Sequence, residues 1–160
     1  MSLTAVRSLL ACPHCGGELD ADGGKVLQQT IEGLGGIDIL VNNASRQVWN
    51  DGILNISDED FDATMKTNIY APFWITRAAL PHLEAGASII ITSSVQAFSP
   101  SEILFDYAQS KAANVAFAQS LAKQLAPKGI RVNAVAPGPF WTALQVSGGQ
   151  FPSRLAGFGA

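Results

Sequence analysis

Hydrophobic positions along the chain switch between helical and strand-like periods from Lys25 onward. Val26, Leu27, Ile31 and Leu34 recur at helical spacing over Lys25–Leu34, and Gly35-Gly36 supplies a stop. Ile37–Val41 is a short apolar run of the kind that forms a buried parallel strand. Ser57, with Asp60 three residues on, is a helix-start signal for a segment reaching about Leu83. Pro72 and Pro81 are expected to bend or end that helix. Ala87–Thr92, with three consecutive isoleucines, is the clearest strand. Asp106–Leu125 predicts a long amphipathic helix stopped by Pro127 and Gly129, and Ile130–Val135 a third strand closed by Pro137-Gly138. The Gly- and Pro-rich tail from Ser147 is expected to be loosely held. Strands alternating with helices predict an α/β fold, part of a doubly wound parallel sheet.

The residues before Lys25 have another character, which divides the chain into an atypical segment, 1–24, and a domain, 25–160. Segment 1–24 holds both cysteines and a loose Gly/Asp-rich run. Cys12-Pro13-His14-Cys15 is like the first knuckle of a zinc ribbon, but a structural zinc needs four ligands and the second cysteine pair is missing. No metal site is expected, and the cysteines read as reduced thiols. The chain's 160 residues fit one ordinary domain. Hydrophobic residues make up 48%, which argues against disorder, while charged residues are only 14% against roughly 25% in a typical globular chain. Much of the surface therefore expects to be covered. A net charge of −3 gives no footprint for nucleic acid. No apolar run reaches membrane-span length, and the four apolar residues Leu9–Cys12 fall short of an export signal, so a cytoplasmic location without membrane attachment is expected.

In a doubly wound sheet, ligands sit beyond the carboxyl ends of the strands. Asn42-Asn43-Ala44-Ser45 follows the first strand and Ser93-Ser94 the second. Pro137-Gly138-Pro139-Phe140-Trp141-Thr142 follows the third. The long helix begins Tyr107-Ala108-Gln109-Ser110-Lys111, placing Tyr107 and Lys111 on one helix face. A phenol near pKa 10 is a poor acid or base at neutral pH, and a neighbouring ammonium is expected to lower it into a useful range. Ser94 can donate to the same substrate oxygen, and Asn68 is a candidate water anchor inside the preceding helix. Taken singly these are ordinary features: a surface pair, a serine turn, a satisfied amide. Their order and placement together are not ordinary.

From about Val26 to Gln150 the chain resembles the short-chain dehydrogenase/reductase family. Asn42-Asn43-Ala44-Ser45 looks like that family's Asn-Asn-Ala-Gly motif, and Asn68, Ser94, Tyr107 and Lys111 match its catalytic tetrad. Pro137-Gly138 with Thr142 matches its nicotinamide-side loop, and the run to Gly149-Gln150 is similar to a subgroup related to general stress protein 39 and glucose/ribitol-type dehydrogenases. The resemblance implies NAD or NADP as cofactor and a small alcohol/carbonyl pair as substrate. Tyr107 would exchange the proton, Ser94 hold the carbonyl, Lys111 bind the nicotinamide ribose and lower the tyrosine's pKa, and Asn68 position a water. Asn43, Ala44, Tyr107, Lys111, Pro137, Gly138 and Thr142 would contact the cofactor.

The family's opening strand, Thr-Gly-x-x-x-Gly-x-Gly turn and helix have no counterpart in residues 1–36. The resemblance thus implies a Rossmann-like sheet lacking its first βαβ unit. Two readings follow: an oxidoreductase of this type, or a non-catalytic truncated fragment keeping only an association surface. Helices 58–83 and 106–125 are the pair through which the resembling family commonly forms homo-oligomers, and an uncovered strand edge at Ile37–Val41 would itself favour association.

Overall fold

The computed structural model describes residues 24–148. Cys12, Cys15 and most of the tail after Ser147 lie outside the described residues. Three strands, β1 (Ile39–Asn42), β2 (Ser88–Thr92) and β3 (Arg131–Val135), form one parallel sheet in the order β1-β2-β3. Ile39 pairs with Ser88 and Ser88 with Arg131, so each strand joins its neighbour only through a helical crossover.

α1 (Gly24–Leu34) ends where Gly35 turns left-handed at φ 81° and donates its N–H to Ile31 O at 2.8 Å. The first strand starts two residues later than its apolar run predicts. Ile37 and Asp38 are used in reaching the sheet, and pairing opens with Ser88 N donating to Asp38 O. Ser57 caps α2 (Asp58–Met65) by accepting from Asp60 N at 3.1 Å.

The helix expected as one piece from Asp58 to Leu83 is not continuous. A π-turn at Lys66–Tyr70 separates α2 from α3 (Ala71–Ala79), and a 3-10 turn at Leu80–His82 finishes it. Pro72 does not end the helix. It sits in the first turn of α3, where the widened turn before it accommodates the missing N–H. Pro81, within the closing 3-10 turn, does mark the end. α4 (Phe105–Leu125) is followed by Gly129 at φ 70°, where a side chain would press against Ala85. α5 (Ala143–Ser147) is a short last turn.

Burial follows the pleat. Leu40, Ile89 and Val132 stand side by side across the ladder, with Asn42 and Ile91 one step further along. All are buried beneath Ile75 and Ala79 of α3 and Ala118, Leu121 and Leu125 of α4. The opposite face carries Ile39, Arg131, Asn133 and Val135, which are exposed. The described residues therefore cover one face of the sheet, and β1, expected to be buried on both faces, is half-covered. Ile89 and Ile91 are fully buried in the central strand. Ile89→Ala is expected to cost about 2–5 kcal/mol of unfolding free energy, whereas Ile39→Ala on the open face costs under about 1 kcal/mol. Denaturant midpoints of the two variants check the contrast.

Candidate active site

The carboxyl ends of all three strands open into one cavity of about 790 Å³. Its wall takes Asn43 and Ala44 from the loop after β1, Ser94 from the loop after β2, and Pro137, Gly138 and Thr142 from the loop after β3, with Tyr107 and Lys111 from α4. Backbone hydrogen bonds fasten these loops together. Ser93 N donates to Val135 O at 2.8 Å and Val95 N to Pro137 O at 3.0 Å. Thr92 Oγ1 donates to Asn43 Oδ1 at 3.0 Å, and Asn42 Nδ2 to Thr76 Oγ1 at 3.1 Å, which ties the end of β1 to β2 and to α3.

Tyr107 is buried, and its phenol lies within the influence of the Ser94 hydroxyl, which favours the phenolate. Ser94 also accepts from Gln96 N at 3.2 Å, so a capping contact fixes the hydroxyl that faces the phenol. Lys111 is buried, with Nζ donating to Thr92 O at 2.8 Å and lying 5.4 Å from the centre of the Tyr107 ring. The neighbouring Ser93 Oγ donates to Lys111 O at 2.7 Å. Thr142 stands just before α5 in an extended conformation without a capping bond, leaving its hydroxyl on the cavity wall.

The tyrosine's acidity departs from the sequence expectation. Burial pushes the Tyr107 phenol above its ordinary value of 10, and the hydrogen bond with Ser94 only partly opposes this. Burial therefore outweighs the ammonium, whose Nζ lies 5.4 Å from the ring centre and donates to Thr92 O. Burial also pushes Lys111 down from 10.5 to about 8. Between pH 8 and 10 the unfolded chain therefore holds more protons at this lysine than the folded one, and stability rises with pH. Above pH 10 the raised phenol works in reverse: the unfolded chain loses that proton first, and stability falls again. Thermal melts from pH 7 to 10 are expected to show this rise, and Lys111→Met to abolish it.

Asn68 is not in the cavity wall. The π-turn carries it inward, where it is 1% exposed and its amide is fully engaged. Oδ1 accepts from Ser45 Oγ at 3.1 Å and Arg46 N at 2.7 Å, while Nδ2 donates to Arg46 O at 2.8 Å and Ser110 Oγ at 2.9 Å. That side chain has no capacity left for a water; it joins the loop after β1 to α4. Gln47 and Leu104, both buried, also line the cavity, and sequence reasoning did not single them out. Neither carries a motif; only the tertiary path of their loops brings them in.

The donor set suits one end of a dinucleotide. An ammonium, a threonine hydroxyl and an asparagine amide surround an otherwise largely apolar wall, while no glycine-rich turn adjoins them among the described residues. The cavity thus offers donors that a nucleotide cofactor can engage and, among the described residues, no built cradle for a pyrophosphate.

Comparison with known proteins agrees with this geometry. The family model described as short chain dehydrogenase matches residues 20–151. The uncharacterized oxidoreductase YghA of Escherichia coli is 49% identical over 134 residues, covering 84% of this chain and 46% of the relative. The glucose and ribitol dehydrogenase of Daucus carota is 45% identical, covering 75% and 41%. Among solved structures, a short chain dehydrogenase from Burkholderia cenocepacia in complex with NADP superposes with a TM-score of 0.73 at 37% identity, covering 78% of this chain and 52% of that one. A 3-ketoacyl-(acyl-carrier-protein) reductase from Brucella melitensis complexed with NADH gives 0.75 at 29% identity, covering 79% and 55%. The chain spans about half the length of these proteins.

Proposed function

The chain belongs to the short chain dehydrogenase family, and from that premise we propose that it carries the acid–base half of an NAD(P)-dependent site acting on an alcohol/carbonyl pair. The observation that carries the reading is the convergence of Tyr107, Ser94 and Lys111 on one cavity, with Ser94 close enough to the phenol to affect its acidity. A substrate oxygen entering between them meets two O–H donors. Tyr107, protonated at neutral pH, gives its proton to that oxygen as a carbonyl becomes an alcohol, and takes it back in the reverse direction. Ser94 holds the oxygen while negative charge develops on it. Lys111, Asn43, Ala44, Pro137, Gly138 and Thr142 would hold the nicotinamide riboside end of NAD or NADP, which supplies or accepts the hydride when bound.

The test is nucleotide oxidation with a panel of aldehydes and ketones, using these residues joined to a glycine-rich cofactor-binding unit. Ser94→Ala is expected to lower turnover about 10²–10³-fold, as loss of one donor to a developing oxyanion does. An unchanged rate would remove Ser94 from the mechanism.

We also propose a homo-oligomer through the helices at 58–83 and 106–125. Phe61 and Phe73 on the first of these and Phe105 at the start of the second are each more than a third exposed. The reading as an association fragment rests on the same surface. Among the described residues, no helix is long and apolar enough to cross a membrane.

A further inference from the structure

α4 carries Tyr107 in its first turn, yet its start has no side-chain cap: Leu104 stands before it and offers no hydrogen-bonding group. The first turn is held from elsewhere. The Arg46 guanidinium, in the loop after β1, donates to Asp60 O at 3.0 Å, to Asp60 Oδ1 at 2.5 Å and to Thr64 Oγ1 at 2.8 Å. The Thr64 hydroxyl in turn donates to Asp106 Oδ2 at 2.5 Å. Thr64 and Asp106 are both 0% exposed, and Asp106 Oδ1 has no partner among the described residues. The carboxylate's attachment therefore runs through Thr64 alone, and Asp106 directly precedes Tyr107. None of Arg46, Thr64 and Asp106 lines the cavity.

We infer that Arg46, Thr64 and Asp106 form a positioning clamp, buried at Thr64 and Asp106, that helps set the first turn of α4 so that the Tyr107 hydroxyl meets Ser94. A single-donor hydroxyl suits the middle place, since Thr64 accepts from the cation and passes its one proton to the anion. The neighbouring tie, from Asn68 through Ser110 Oγ to Tyr107 O, holds the backbone of the same turn from its other side, and the clamp fixes it at Asp106. The charged groups around the phenol are Asp106 on its own turn, Arg46 and Asp60 behind Thr64, and Lys111 over the ring. The inference rests on the proposal that Tyr107 exchanges the substrate proton, but its test reads hydrogen bonding without turnover, so the two fail separately.

The chain has two tyrosines, so Tyr70→Phe leaves Tyr107 as the only phenol. The Raman Fermi doublet of tyrosine then reports the hydrogen bond at Tyr107 alone, at neutral pH. In that background Ser94→Ala is expected to shift the doublet ratio. Thr64→Val should produce the same shift, and adding Ser94→Ala to it should change little more. Thr64→Ser should restore the parent spectrum and its response to Ser94→Ala. Arg46→Met, at a partly exposed position, provides a second break in the clamp should Thr64→Val not fold. A full Ser94→Ala shift in either broken background, in a chain whose circular dichroism is native, would overturn the clamp and leave these residues a structural role only.

Discussion

A polypeptide of these 160 residues is expected to bind NAD(P)H several orders of magnitude more weakly than the same residues joined to a glycine-rich cradle, and to turn over negligibly alone. Residues 1–36 contain no Thr-Gly-x-x-x-Gly-x-Gly turn, and no glycine-rich turn adjoins the cavity among the described residues. In this fold class a pyrophosphate is held by backbone N–H groups at a helix start, which act together with the helix dipole. Each charge-assisted bond lost there weakens binding by about 1.5–3 kcal/mol, and every ~1.4 kcal/mol is tenfold. Lys111, Asn43 and Thr142 cannot make up several such losses. Calorimetry with NADH and NADPH, chain alone beside the fused form, measures the difference. Micromolar affinity of the chain alone would contradict this account.

Tyr107→Phe in the fused, active form is expected to lower turnover by about 10²–10⁴-fold with little change in KM, the signature of a proton transfer removed from the transition state. The phenyl ring fills the same buried space, so the fold should persist. Only the hydroxyl shared with Ser94 is lost. The raised phenol adds a directional expectation. Carbonyl reduction, which needs the protonated tyrosine, should hold its rate through neutral pH, while alcohol oxidation, which needs the phenolate, should speed up as pH rises towards and beyond 10. A Tyr107→Phe form of undiminished rate would remove the tyrosine from the chemistry.

Much of this architecture was legible in the chain because its signals are local. Three isoleucines mark β2, Ser57 with Asp60 marks the start of α2, and the turn-forming Gly35 and Gly129 close the helices before β1 and β3. The clustering of Ser94, Tyr107 and Lys111 followed from the rule that chemistry gathers where parallel strands end. The π-turn was not legible, since one extra residue in a helical turn leaves the apolar spacing almost unchanged. Asn68 was read as a water anchor because its partners lie on other segments: Ser45 and Arg46 on one, Ser110 on another. The direction of the tyrosine's shift was likewise hidden. Helical spacing puts Lys111 beside Tyr107, but only tertiary packing decides that burial outweighs the ammonium.

The ladder pairs Ile39 with Ser88 and Ser88 with Arg131, so no strand of this sheet is a hairpin neighbour of another. Every sheet hydrogen bond must wait for a long loop to close, and that entropy is spent before any pairing rewards it. α4 and β3, adjacent in sequence and in contact, can form early as a local unit, while the central β2 must close a loop to β1 on one side and to β3 on the other. During that interval Leu40, Ile89 and Ile91 face water on unpaired strands. Chains are thus most exposed to misassociation before the sheet closes, and slow synthesis or low temperature should improve the yield of folded chain more than any change at the cavity.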